Sequence, residues 1–243
     1  VGINLKYKLI FLFVYFSELF LYLNFSGMRQ GIAIAITLFS VKYIMEKRMY
    51  HFFVTVGFAT LFHFTAIVFI VSYFIYWFRR SVRKDIFIFS FLALGVFFLD
   101  NFIELIIYIF YDNNKIVFYL NNVKVGDGHF NDYIIGILKR TIVLLFYVSI
   151  PNKIRQDSQL KNLIQVYFFG FLIFLFFYLI NGDVGARLGA YFLIMDILII
   201  STIFQQNIHI HHKMAIFLIV FMMYFYKLYN YASLPEYSYK VFL

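Results

Sequence analysis

Long apolar runs dominate this chain and decide which solvent it can fold in. About 20 apolar residues suffice to cross a bilayer as a helix, and runs approaching or exceeding that length recur along the sequence. They lie near residues 8–23, 32–46, 52–78, 86–111, 133–150, 163–180, 187–205 and 214–231. Because 63% of the 243 residues are hydrophobic, one water-soluble core could not hold them. The sequence therefore predicts an all-α polytopic membrane protein, in which residues 1–243 form a single transmembrane domain of about eight or nine spanning or partly inserted helices.

Charge and cysteine content exclude several classes of function. The formal charge of +9 comes from basic residues in short connections between apolar runs, which indicates membrane topology rather than a nucleic-acid-binding face. With no cysteine, the chain has neither a disulfide framework nor a thiolate nucleophile or metal ligand. The three histidines at 209, 211 and 212 lack a nearby carboxylate, so a solvated loop is favoured over a metal site. We expect no cofactor.

The run 52–78 is long for one span and is interrupted at His63. If it were a straight crossing, nine Lys and Arg residues would lie on each side of the membrane. If it turns back at His63, thirteen lie on the cytoplasmic side against five on the other. Since cytoplasmic loops carry an excess of basic residues, the sequence predicts a broken segment that dips into the membrane. That topology brings Arg29, His63 and Arg187 to the same, non-cytoplasmic side.

Two arginines stand in glycine-bearing connections between apolar runs. Arg29 lies within residues 24–31 and Arg187 within residues 181–187. A guanidinium held beside a bilayer needs an anionic partner, and it binds phosphate oxygens in pairs. The pattern thus indicates a site for a phosphorylated ligand. Two plainer interpretations stay open: Arg29 reaches lipid headgroups from a helix end, and Arg187 pairs with Asp183 four residues before it.

Three short stretches resemble a known family. They are N-F-S-G-M-R-Q-G-I-A-I-A from Asn24 to Ala35, L-F-H-F-T-A from Leu61 to Ala66, and R-L-G-A-Y-F from Arg187 to Phe192. Together they are similar to the EpsG-type branch of the Wzy polysaccharide polymerases. Members usually begin with further spans, so the chain is expected to lack an N-terminal part.

The resemblance implies a multi-pass, GT-C-like glycosyltransferase of the bacterial inner (cytoplasmic) membrane. It would move a growing glycan from one polyprenyl-diphosphate carrier to a sugar hydroxyl on the next lipid-linked repeat unit, at the outer face, without nucleotide sugar or metal. The product would be a capsule, exopolysaccharide or O antigen. Its partners would be the polyprenyl-diphosphate-linked glycan, membrane lipids and other polysaccharide-assembly membrane proteins, with no nucleic acid.

Site roles follow from this reaction. The leaving diphosphate would be bound by Arg29, Gln30, Arg187 and Arg140, the substrate would also contact Tyr191, and the general base would be His63 or Asp183.

The sequence leaves alternatives open for both the site residues and the function. His63 could instead be a hydrogen-bonded packing residue, and Glu18 is a weaker candidate for the base. Arg140 and its neighbour Lys139 could be neutralised by Asp100 and Glu104, one turn apart in another run. For the whole chain, a transporter or flippase for an anionic lipid-linked substrate is the alternative, and a non-catalytic assembly subunit is a third.

Overall fold

The computed structural model describes residues 8–16, 27–77, 127–155, 157–180, 182–206 and 208–233. Throughout these ranges the regular elements are helical, which confirms the all-α prediction. They are α1 (Lys8–Tyr15), α2 (Met28–Met45), α3 (Met49–Phe62), a 3-10 helix (Phe64–Ile70), α4 (Val71–Trp77), α5 (Asp127–Ser149), α6 (Asn152–Arg155), α7 (Ser158–Ile180), α8 (Gly182–Leu193), α9 (Met195–Gln205) and α10 (Ile210–Ser233).

Residues 49–77 fold back on themselves and form a helical hairpin with His63 at its tip. The backbone of His63 is extended, with φ −151° and ψ 115°, and this ends α3 before the 3-10 helix begins. Near the other end, the ring of Phe52 lies 5.4 Å from that of Tyr73, and Phe53 lies 6.4 Å from Phe74. The two arms are therefore antiparallel, and the reversal predicted at His63 is present in the structure.

Helices α7 and α8 are held together by a glycine face. A Cβ atom added at Gly185 would lie 2.3 Å from the backbone nitrogen of Tyr178, and one added at Gly170 would lie 2.3 Å from Cβ of Phe192. Small residues allow helices to approach this closely, a common packing mode where lipid removes the hydrophobic drive between helices. Arg187 lies two positions after Gly185, about 200° around the helix. The packing of α8 on α7 therefore directs Arg187 away from α7.

Within the described ranges, two helical stretches are long and apolar enough to cross a membrane, Ser158–Tyr178 and Val184–Gln205. The second runs through α8 and α9, which meet at Ile194, whose N–H donates to the carbonyl of Ala190 at 3.2 Å. These stretches coincide with the predicted runs 163–180 and 187–205. The arms of the hairpin are shorter apolar helices, and the run 86–111 lies outside the described residues.

Candidate functional site

The start of α2 is attached to α8 through Gln30. This side chain is only 4% exposed, and its Nε2 donates to the main-chain oxygen of Arg187 at 3.0 Å. Arg29, the preceding residue, is exposed. The bond brings two segments that are far apart in the chain to one place. Because the amide of Gln30 already binds protein backbone, the geometry favours a positioning role for this residue, which the sequence predicted as a diphosphate ligand.

The hairpin tip is attached to α8 by three mutually close polar atoms. Nδ1 of His63 lies 2.6 Å from Oγ1 of Thr65, and the hydroxyl of Tyr191 lies 3.1 Å from that Oγ1 and 3.2 Å from Nδ1. Tyr191 is fully buried, one helical turn beyond Arg187. The tip therefore has a fixed position relative to the arginine.

These contacts hold the imidazole of His63 by one nitrogen. When Nδ1 carries the proton it donates to Thr65, whose own hydroxyl then donates to Tyr191. Nε2, the nitrogen outside this group of three atoms, then carries the lone pair. In the other tautomer a hydroxyl donates to Nδ1 and Nε2 carries the proton. The arrangement thus orients Nε2 for proton transfer in either direction.

Two positive charges act on His63, which lies in a connection between helices and outside the two stretches able to cross a membrane. Burial is the largest cause that lowers the pKa of His63 from its ordinary value of 6.5, and the charges of Arg187 and then Arg29 lower it further. All three causes disfavour the imidazolium. Both arginines are exposed, and the Gln30–Arg187 and Tyr191–His63 hydrogen bonds bring their helices, α2 and α8, beside the histidine.

Arg140 occupies a different position, on α5 and against α7. Its guanidinium carbon lies 3.6 Å from the ring centroid of Phe174, and its NH1 donates to the carbonyl of Gly136 at 2.6 Å. The structure thus brings together Arg29, Gln30, His63, Arg187 and Tyr191, and gives Arg140 a stacked position on an aromatic ring.

The remaining carboxylate candidates fall outside what the structure describes. Asp183 belongs to the first turn of α8 by its backbone, but its side chain is not described. Glu18, Asp100 and Glu104 lie outside the described residues. In the described ranges, no three His, Asp or Glu side chains are grouped so that they could hold a metal ion.

Sequence reasoning missed a buried polar pair deeper in the bundle. Asp196 on α9 is 2% exposed, and its Oδ2 accepts a hydrogen bond of 3.0 Å from the hydroxyl of Tyr224 on α10. Nζ of Lys139 on α5 lies 5.0 Å from the Tyr224 ring centroid. The available signal was that Asp196 is the single acidic residue in the apolar run 187–205, since such residues usually face the bundle interior.

Comparison with known proteins places the chain in a family. No curated protein and no solved structure matches it. The family model described as the EpsG family matches residues 3–241, nearly the whole chain. The protein therefore belongs to the EpsG family, a family of Wzy-type polysaccharide polymerases.

Proposed function

We propose that this protein lengthens a surface polysaccharide at the outer face of the bacterial inner membrane. It transfers the growing glycan from one polyprenyl-diphosphate carrier to a hydroxyl of the next lipid-linked repeat unit. The observation that carries the proposal is that the Gln30–Arg187 and Tyr191–His63 hydrogen bonds bring α2, the hairpin tip and α8 together, with Arg29 and Arg187 on the two helices. A base with two cations near it suits a reaction that removes a proton and releases a diphosphate.

The arginines bind the leaving group. As the bond between the anomeric carbon and the diphosphate oxygen breaks, the electron pair stays with the oxygen and adds negative charge there. Guanidinium groups already in place stabilise this charge without reorganisation during the reaction. Arg187 is well suited because Gln30 binds its main-chain oxygen at 3.0 Å and the glycine face of α8 fixes its helix.

His63 is the proposed base. The acceptor hydroxyl attacks the anomeric carbon, a new carbon–oxygen bond forms, and the hydroxyl proton passes to Nε2 of His63. Its lowered pKa keeps the imidazole neutral, and therefore able to accept this proton, to more acidic pH than a free histidine. The rival base, Asp183, lies four residues before Arg187 on α8.

The hairpin supports a cavity open to the outer face. The first arm has 14 α-helical residues, about 21 Å, and the second has seven 3-10 residues followed by seven α-helical ones, about 25 Å. Both are shorter than the roughly 30 Å hydrocarbon thickness. A hairpin with its base at the cytoplasmic side would end inside the membrane. A polar tip at that depth has to line a wet cavity or be covered by protein, and the exposed arginines favour the wet cavity.

Chain elongation by the purified protein tests the proposal. The protein is reconstituted in nanodiscs with its lipid-linked repeat unit, and product length is read on gels. We expect Arg187→Gln and His63→Ala to reduce elongation at least about 100-fold, in the range of a lost charge-stabilising donor or base. Matched controls are Lys161→Gln, which removes an exposed cation on α7, and His51→Ala, which removes an exposed histidine on α3. Both should keep elongation within about twofold, because surface substitutions away from a site usually have small effects.

The same variants separate a polymerase from a flippase. If His63→Ala abolishes elongation while the repeat unit still binds, the base assignment is supported. If His63→Ala elongates normally and Asp183→Ala does not, Asp183 is the base. If neither change affects polymer length while Arg187→Gln blocks movement of the lipid across the bilayer, the protein is a transporter and the proposal is wrong.

A further inference from the structure

The base of the hairpin, at the opposite end from His63, carries an open cavity of about 420 Å³. Lys47, Tyr73, Phe74 and Trp77 line it. The indole N–H of Trp77 donates to the main-chain oxygen of Ile44 at 3.1 Å, which fixes the ring. Phe74 and Trp77 are nevertheless 58% and 39% exposed. The cavity therefore has a rigid aromatic wall that the described part of the chain leaves uncovered.

Lys47 adopts a backbone conformation that usually belongs to glycine. Its φ is 58°, in the left-handed region. The N–H of Arg48 donates to the carbonyl of Tyr43 and that of Lys47 to the carbonyl of Ile44, the two bonds that close a helix in a Schellman motif. A side chain at this position is strained where glycine is not. The side chain of Lys47 in turn lies over Trp77, with Nζ 4.6 Å from the ring centroid, so a positive charge is held at the cavity.

The charges around Lys47 do not balance. Lys42 and Arg48 flank it, and Glu46 is the one carboxylate among them, 4.0 Å from Lys42 and 3.5 Å from Arg48. Three cations and one carboxylate leave a net charge of +2 in residues 42–48. This corner therefore attracts an anion, while the wall beside it offers apolar aromatic surface. A ligand that satisfies both features has a negative head and an apolar body.

We propose that this cavity binds an anionic phospholipid, with the lipid phosphate at Lys47 and Arg48 and an acyl chain against Phe74 and Trp77. The inference rests on the proposed membrane placement but not on the reaction. Tryptophan beside lysine is typical of the membrane–water interface, and basic pockets between helices bind anionic headgroups. A free phosphate would satisfy the charge but would leave the aromatic wall exposed, so a phosphate diester with acyl chains fits better.

Trp77 allows a direct test, because it is the only tryptophan of the chain. Its fluorescence therefore reports on the cavity without a label. The full chain is reconstituted in phosphatidylcholine vesicles that contain a small, fixed mole fraction of either brominated phosphatidylglycerol or brominated phosphatidylcholine. Bromine quenches tryptophan at short range, so the quenching measures how much of each lipid occupies the site.

We expect brominated phosphatidylglycerol to quench Trp77 as strongly as a roughly fivefold higher mole fraction of brominated phosphatidylcholine would. Roughly fivefold enrichment of the anionic lipid beside Trp77 is the effect of about one basic residue at the membrane surface. Lys47→Gln should remove most of this excess, and Lys47→Arg should keep it. Lys47→Gly is the sharper variant, because glycine suits the left-handed backbone and the fold is preserved while the charge is lost. Lys161→Gln, which changes an exposed lysine on α7 that does not line the cavity, should leave most of the excess.

Four outcomes would overturn the inference. Equal quenching by the two lipids would show that the hairpin base contacts lipid but does not prefer anionic headgroups. Quenching by neither would remove the lipid contact altogether. Unchanged quenching in Lys47→Gly would exclude that residue, and loss of the excess on adding inorganic phosphate would show that free phosphate suffices. Because fluorescence rather than elongation is measured, none of these results depends on whether the protein is a polymerase.

Discussion

The glycine face between α7 and α8 should be essential to both stability and elongation, and Gly185→Ala tests it. An alanine Cβ there would lie 2.3 Å from the nitrogen of Tyr178, 2.6 Å from its Cα and 2.8 Å from the carbonyl carbon of Phe177. All three are backbone atoms, so no side chain can rotate away. Restoring an ordinary contact of 3.4 Å would move α8 about 1.1 Å from α7.

The free-energy cost of the clash in Gly185→Ala can be separated from the intrinsic helix preference of alanine. Overpacking of this kind costs about 1–3 kcal/mol, while replacing glycine by alanine in a helix gains about 1 kcal/mol. Gly57 on α3 has nothing within 4 Å of an added Cβ, so Gly57→Ala keeps the gain without the clash. The difference in free energy of unfolding between the two variants should therefore equal the clash, about 1–3 kcal/mol.

Thermal unfolding in nanodiscs, followed by circular dichroism, measures this difference. For a chain of this size it corresponds to Gly185→Ala melting roughly 2–12 °C below Gly57→Ala. Elongation should also fall about 100-fold in Gly185→Ala, because a displacement of about 1 Å at a catalytic group can cost that much. The reasoning would be refuted if the two alanine variants had the same melting temperature, or if Gly185→Ala alone elongated normally.

Two further predictions concern the charged groups. Because the pKa of His63 is lowered from 6.5, the elongation rate should fall on the acidic side only below pH 6.5. Arg187→Gln removes one of the charges that lower this pKa, so the fall in rate should move to higher pH. A pH profile of the residual rate that does not move would contradict this. Tyr224→Phe removes the hydroxyl that donates to Asp196 and should lower the free energy of unfolding by about 1–3 kcal/mol. Tyr226→Phe, at an exposed position on the same helix, should leave the free energy of unfolding unchanged. Thermal melting of the two variants measures the difference.

The parts of the fold that could be predicted are those recorded in local sequence pattern. Long apolar runs predict helices wherever they occur. The interruption at His63 predicts a reversal, because the run 52–78 is long for one membrane span and too short for two. Charge bias, a global property of the chain, predicts only that Arg29 and Arg187 lie on the same side of the membrane. The sequence pattern does not predict that the hairpin tip at His63 contacts α8. That contact depends on the hydroxyls of Thr65 and Tyr191, which are 126 residues apart in the chain and lie 3.1 Å apart in the structure.

What the sequence does not specify locally is which side of a helix meets which neighbour. Gln30 illustrates this, because beside Arg29 it looks like a second phosphate ligand, and only the placement of α8 against α2 makes the Arg187 carbonyl its partner. Arg140 is predicted from its sequence position as a further cation for the site, and the packing of α5 on α7 is what places its guanidinium on the ring of Phe174. In each case the residue type indicates what the side chain can bind, but it does not identify the partner. The partner follows from helix packing, which depends on contacts between segments far apart in the sequence.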